Sequence, residues 1–205
     1  MTTQEEKDFF WKIIQQSNKK IKGNWDEYDI DEHIDDLTER LAKKSKPQLI
    51  VFEKVFQKSM NKLDTAEIAE LSIILENSYT NHNGKIVFED YISTDGFIYF
   101  RCWLILKGKA FFDEILADIN AFVNGKYSFN IGDTSAEGLL YLSDQANLMR
   151  NSDAEEFEIS DFIRENFPEI IHYDSLQNEF NRAVASGDAL ASMYPKLVGE
   201  IIKIK

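Results

Sequence analysis

Residues 96–106 read Gly-Phe-Ile-Tyr-Phe-Arg-Cys-Trp-Leu-Ile-Leu, a run that is apolar on nearly every side when wound as a helix. Such a helix belongs at the centre of a bundle, because a surface helix confines its apolar residues to one stripe. Asp95 is placed to cap its start and Gly108 to end it. The rest of the chain must then supply the faces that cover it.

Helical spacing nearly throughout meets that demand. Phe9, Phe10, Trp11, Ile13 and Ile14 predict a first helix with a broad apolar arc, ending near Gly23. Ile30, Ile34, Leu37 and Leu41 form a narrow stripe with Asp31, Glu32, Asp35, Asp36 and Glu39 on the other faces, the pattern of an amphipathic surface helix. Ser45, Pro47 and Gln48 launch a helix that buries Leu49, Phe52, Val55, Phe56 and Met60. Asp64, Thr65 and Glu67 repeat that capping logic for a helix through Leu75, and Phe111, Phe112, Ile115, Leu116 and Ile119 mark the buried arc of another. Thr134 and Glu137 read as a capping box before Leu139, Leu140, Leu142 and Ala146. Two weaker helical patterns lie at about 175–184 and 188–202.

Punctuation supplies little that is not helical. Asn81-His82-Asn83-Gly84 is a turn by composition, residues 86–88 after it read as loop, and residues 127–131 alternate like a short strand. The expected fold is mostly α: a single compact helical bundle domain over residues 1–125, a helical C-terminal extension over 126–205 packed on it, and at most one or two short strands. No internal repeat or low-complexity tract interrupts it.

Charge narrows the function classes. Acidic residues outnumber basic ones by 36 to 23, a formal net charge of −13, and neither half of the chain is basic. Nucleic-acid binding is therefore not expected, since the phosphate backbone would be repelled. The longest apolar stretches, such as residues 49–52 and 103–106, are far shorter than the roughly 20 residues of a membrane helix. The N-terminal stretch, with Glu5, Glu6 and Asp8 ahead of Phe9, lacks the basic start of a signal peptide. One cysteine, Cys102, excludes an internal disulfide and fits a reducing compartment. A cytoplasmic protein is the expectation, with no membrane partner.

Three segments carry a resemblance. They are Phe10-Trp11-Lys12-Ile13-Ile14, the stretch from Leu37 to Phe56 with its Leu-Ala-Lys-Lys-Ser run, and the sequence from Asp95 to Ile105 followed by Gly108. Together they resemble the bacterial family known as domain of unknown function 4240, from about Phe9 to Asp118 with a weaker echo from Leu139 to Leu148. The resemblance implies a mostly helical domain in a bacterial cytoplasm, and carries over no activity, cofactor or catalytic residue. The present chain departs from the family pattern in a longer connection over 79–93 and in lacking a tryptophan near Leu63-Asp64.

No motif specifies a chemistry, so no catalytic residue, metal ligand or cofactor is expected. Arg101 is the most informative residue, a guanidinium on an otherwise apolar face between Phe97, Ile98, Leu104 and Ile105. Desolvating it demands a partner. The partner is either a carboxylate of the fold, from Glu53, Glu76, Glu89 or Asp90, or an anion bound at the mouth of a pocket near Glu89, Asp90 and Asp95. His33 and His172 read as structural or solvated, while His82 with Glu89, Asp90 and Asp95 is a geometrically possible site around the long connection. The acidic run 26–33 lacks the glycine and glutamate of a calcium loop and reads as a solvated face. Cys102 reads as a packed thiol.

Two functional classes follow. One is a non-enzymatic interaction module, inhibitor-like or immunity-like, that masks a basic protein through Asp31, Glu32, Asp35, Asp36 and Glu39 and through Asp153, Glu155, Glu156 and Glu158. The other is a small-molecule binder or enzyme with an anion pocket around Arg101. Sequence alone leaves the oligomeric state undetermined.

Overall fold

A computed structural model describes residues 2–18, 29–123, 134–174 and 180–205. Helix α1 (Gln4–Asn18) presents Phe10, Trp11, Ile13 and Ile14 to the interior. Helix α2 (Ile30–Ala42) is capped by the Asp29 carboxylate, which accepts from the backbone N–H groups of Asp31 and Glu32. Helix α3 (Lys46–Lys62) starts where the Gln48 side chain accepts from the Ser45 N–H at 3.0 Å, with Pro47 in its first turn. Helix α4 (Ala66–Glu76) begins on the Thr65 hydroxyl.

Residues 79–88 correct the loop expectation. They form an antiparallel hairpin, β1 (Tyr79–His82) and β2 (Lys85–Phe88), in which Tyr79 pairs with Phe88 and His82 with Lys85. Asn83 and Gly84 both have positive φ, 53° and 84°, the pair of left-handed residues that a two-residue hairpin turn requires. The Asn-Gly dipeptide was the signal; a four-residue strand is too short for its alternation to stand out.

Helix α5 (Thr94–Leu106) is the central helix: every residue from Phe97 to Leu106 is buried except Tyr99. Its cap is Ser93, whose hydroxyl accepts from the Gly96 N–H, and Asp95 falls within the first turn. Gly108 closes α5 and opens α6 (Lys109–Ala117) in one residue, at φ +94°, with the Asn18 amide donating to the Leu106 carbonyl at 2.8 Å beside it. Among the largest fully buried side chains, Trp103 and Phe100 belong to α5 itself, and Phe10, Phe52, Phe56 and Phe111 come from α1, α3 and α6.

After a 3-10 turn (Ile119–Val123), a second one (Glu137–Tyr141) runs into α7 (Leu142–Arg150), which packs on α2 and α3, and α8 (Glu158–Asn166) covers α3. The Thr134–Glu137 capping box does not form. Thr134 donates its hydroxyl to Glu76 at 2.5 Å, and this tertiary bond outcompetes the local one. The expected helix over 175–184 is not seen in its described part, 180–184, whose polar groups bond to α4 instead. The pattern at 188–202 divides into α9 (Ala189–Met193) and α10 (Pro195–Ile204), because proline disfavours helical backbone at the residue before it, Tyr194. The expected strand at 127–131 and the expected helix end near Gly23 lie outside the described residues. One hydrophobic cluster runs from Phe10 to Ile201, joining residues on both sides of position 125. Among the described residues, no helix is long and apolar enough to cross a membrane.

Candidate functional site

Arg101 is 3% exposed. Its Nη1 donates to the Met60 carbonyl at 3.3 Å and stands 3.5 Å from an Asp64 carboxylate oxygen, while Nη2 donates to the Tyr173 carbonyl at 3.4 Å. The Phe97 ring lies 4.8 Å from the guanidinium carbon. Burial pulls the guanidinium pKa down, and Asp64 opposes that shift. The neighbouring carboxylate is thus Asp64, and not Glu53, Glu76, Glu89 or Asp90. The last turn of α3 delivers the Met60 carbonyl, and the connection to α4 the Asp64 carboxylate, to one guanidinium. Glu89, Asp90 and Asp95 are exposed at the exit of the hairpin and the start of α5, and none forms an ion pair with Arg101. Glu76 accepts from Ser72 and Thr134, and Glu53 from Gln57 at 2.7 Å.

Glu53 is the second unusual group. It is 1% exposed, and burial, reinforced by nearby Asp144, pushes its carboxyl up to about 7 against the tempering side chains of Gln57 and Ser143. The Gln57 amide oxygen accepts from the Tyr173 N–H at 3.1 Å. Residue 173 therefore meets Arg101 directly through its carbonyl and Glu53 only by way of Gln57, to which its N–H donates. Cys102 is fully buried with its thiol pKa pushed up, Sγ 3.8 Å from the Met60 sulfur, the environment of a packed thiol.

Above this layer the Tyr173 side chain lines a cleft of about 270 Å³ whose other walls include Tyr141, Phe157, Asp161, Arg164 and His172. The cleft is framed by the Glu137–Tyr141 turn, α8 and residues 170–174. Asp144 fixes α8 in place: its carboxylate accepts from the Ile159 N–H at 2.7 Å, the Ser160 N–H at 3.3 Å and the Ser160 hydroxyl. It thereby occupies the positive end of that helix. His172 Nδ1 pairs with Asp174, and its ring lies 4.3 Å from that of Tyr173. The Tyr173 hydroxyl pKa is raised, by burial first and then by Asp174 and the other acidic groups around it.

The family model described as a protein of unknown function, DUF4240, matches residues 5–147. The chain belongs to this family. No curated protein and no solved structure matches it. The family match ends within α7, so α8 and residues 170–174, which frame most of the cleft, lie beyond it.

The acidic residues of α2 divide. Asp31, Glu32, Asp35 and Glu39 are exposed and pair with no cation among the described residues, whereas Asp36 is half-buried and bound by Arg40 at 2.5 Å, one turn on. Of the second acidic group, Asp153, Glu155 and Glu156 are exposed, but Glu158 opens α8 and accepts from Lys46 and from Asn147. The run 26–33 falls partly outside the described residues. His82 is exposed, and no group of three or more His, Cys, Asp or Glu is placed to hold a metal ion among the described residues. His33 is buried with its ring pKa depressed to about 4, mainly by desolvation. Its Nε2 meets the Ser17 hydroxyl at 2.8 Å, and that hydroxyl donates to the Ile14 carbonyl, so the ring is the donor and does not activate the serine.

A groove of about 570 Å³ between α1 and α6 gathers Lys12, Lys107 and Lys109 with Trp11. Sequence reasoning found Arg101 but missed Asp64, Asp144 and the cleft. Asp64 looked like a helix cap, and the cleft is assembled from segments with no periodic pattern of their own.

Proposed function

We propose that the protein is a non-enzymatic interaction module of the cytoplasm, inhibitor-like or immunity-like in kind, that docks a basic protein. The exposed row Asp31, Glu32, Asp35 and Glu39 carries this reading: four carboxylates on one helix whose opposite face is anchored by Ile30, Ile34, Leu37 and Leu41. Unlike Asp36, none of them is neutralised by a described cation. A row of exposed charge held on one helix steers a partner of opposite sign and sets its orientation. The enclosure of Arg101 weighs in the same direction, because a guanidinium 3% exposed, with a backbone carbonyl on each terminal nitrogen, is closed off from an incoming anion. Nucleic acid is not a partner in this reading, and retention on heparin at physiological salt would count against it.

The experiment is capture of binding proteins from the source organism by the wild type and by a D31K/E32K/D35K/E39K variant. Recovery of a basic protein by the first and not the second is the expected result, with an association rate that falls as salt shortens the Debye length below about 10 Å. Recovery of no basic protein would leave the row as a solubility feature. The second reading, a small-molecule pocket for an anion, is favoured by one observation: the α1–α6 groove has the volume, and in its walls Lys12, Lys107 and Lys109 outnumber Asp8 and Asp113. A rise in thermal stability with an anionic metabolite, abolished by K12A/K109A, would support it.

A further inference from the structure

We propose that the cleft framed by the Glu137–Tyr141 turn, α8 and residues 170–174 receives one cationic side chain, an arginine or a lysine, presented by the partner protein. The inference rests on the reading that the partner is basic, and adds the place where one of its side chains is held. Size is the first argument. At about 270 Å³ the cleft falls below the roughly 300–1,000 Å³ of sites that enclose drug-sized ligands, which leaves room for a side chain.

The walls supply the second argument. Tyr141, Phe157 and Tyr173 give three aromatic rings, and Asp161 and Asp174 give two carboxylates, the combination that attracts a cation through both ring quadrupole and charge. Aromatic side chains are also the residues that most often anchor protein interfaces. The cleft's own cation, Arg164, pairs with Asp161 at 3.0 Å, but both side chains are 57% exposed, so solvent screens the pair and an incoming guanidinium can exchange with it. The positive terminus of α8, otherwise the feature that would favour an anion, is already taken by Asp144. Of the lining charges, Asp161 pairs with Arg164 and Asp174 with the His172 ring, which sets two carboxylates against one permanent cation within a chain of net charge −13.

The test uses the whole protein with ring-labelled tyrosine, titrated in separate NMR experiments with N-acetylarginine amide, with the neutral isostere N-acetylcitrulline amide and with inorganic phosphate. Arginine amide is expected to shift the Tyr141 and Tyr173 ring signals saturably, and citrulline amide to bind about tenfold more weakly. Tyr141→Ala and Asp174→Asn, both at exposed positions, are each expected to weaken arginine binding about fivefold without lowering the melting temperature. Equal binding of citrulline amide, the same shifts produced by phosphate, or no saturable shift with arginine would each overturn the proposal. Capture of one basic partner equally by the wild type and by both variants would sink the cleft and leave the interaction reading standing. Arginine binding without capture of any partner would do the reverse.

Discussion

Two glutamates, one on α3 and one on α4, are both shut off from solvent, and they behave in opposite ways. Glu70 on α4 is met by four donors: both terminal nitrogens of Arg182, the Tyr194 hydroxyl and the Ala185 N–H, the last at 2.7 Å. Burial alone would push its carboxyl up, but these donors bring it below the ordinary value. Glu53 on α3 has only the Gln57 amide and the Ser143 side chain to oppose burial, so burial prevails and its carboxyl rises to about 7. Depth raises both carboxyls, and the donors decide that Glu70 stays charged. The difference also separates roles: Glu70 fastens the C-terminal segment to the bundle, whereas Glu53 sits beneath the cleft.

Removing the donors from Glu70 should give the largest effect. Arg182→Met strands a carboxylate with 0% side-chain exposure, and a cost of about 3–5 kcal/mol at pH 7.5 is expected from urea unfolding. The sign of the pH dependence follows from the depressed pKa of the wild type. Glu70 contributes stability above its unfolded value near 4.5, and that contribution fades as pH falls through the lower folded value. The penalty in Arg182→Met should therefore shrink at pH 5, where the stranded carboxyl takes up a proton. A penalty independent of pH would show that the bidentate contact matters only as packing.

Glu53 should show the reverse slope. Its folded pKa, about 7, is above the unfolded value of 4.5, so the folded state holds the extra proton and stability falls as pH rises from about 4.5 to 7. Glu53→Gln keeps the shape without the titration. It should flatten that slope and leave the variant more stable than the wild type at pH 8, by on the order of 1–3 kcal/mol. If the two proteins lose stability in parallel between pH 4.5 and 7, Glu53 is charged throughout and the contrast with Glu70 fails.

This contrast was invisible in the sequence, although the helices bearing both residues were not. Helical spacing and caps at Ser45 and Thr65 locate α3 and α4 closely, because they depend on neighbours within one turn. Whether a glutamate on such a helix is charged depends on Arg182 and Tyr194, more than a hundred residues away, and no local pattern encodes that distance. Thr134 failed for the same reason: a sound capping signature lost to a tertiary acceptor, Glu76. Arg101 lies between these cases. Its burial follows from the apolar faces beside it in α5, but its partner Asp64 was read as the start of a cap.

A milder effect is expected at that pair. Asp64→Ala leaves Arg101 buried with carbonyl acceptors only, at a cost of about 2 kcal/mol, while Arg101→Met removes the charge along with the need for compensation and should cost about 1 kcal/mol. Thermal unfolding of the two variants distinguishes this order from its reverse. Equal and negligible shifts would mean that the guanidinium reaches water, against its 3% exposure.

The smallest effects belong to α2, where they sharpen the division between charges that serve the fold and charges free for a partner. Asp36→Ala breaks the half-buried pair with Arg40 and should cost about 0.5 kcal/mol. Glu39→Lys alters an exposed residue with no described ion pair, so stability should change by less than about 0.5 kcal/mol, in the stabilising direction if relief of negative charge outweighs all else. Association with a basic partner should respond in the opposite order, slowing more for Glu39→Lys than for Asp36→Ala, since reversal of an exposed charge alters the long-range field by two units and the Asp36 charge is already offset by Arg40. Parallel unfolding and stopped-flow association measurements on both variants test the crossover. If one variant is worse in both assays, α2 does not separate its structural charge from its steering charges, and the acidic row loses its standing as an independent docking face.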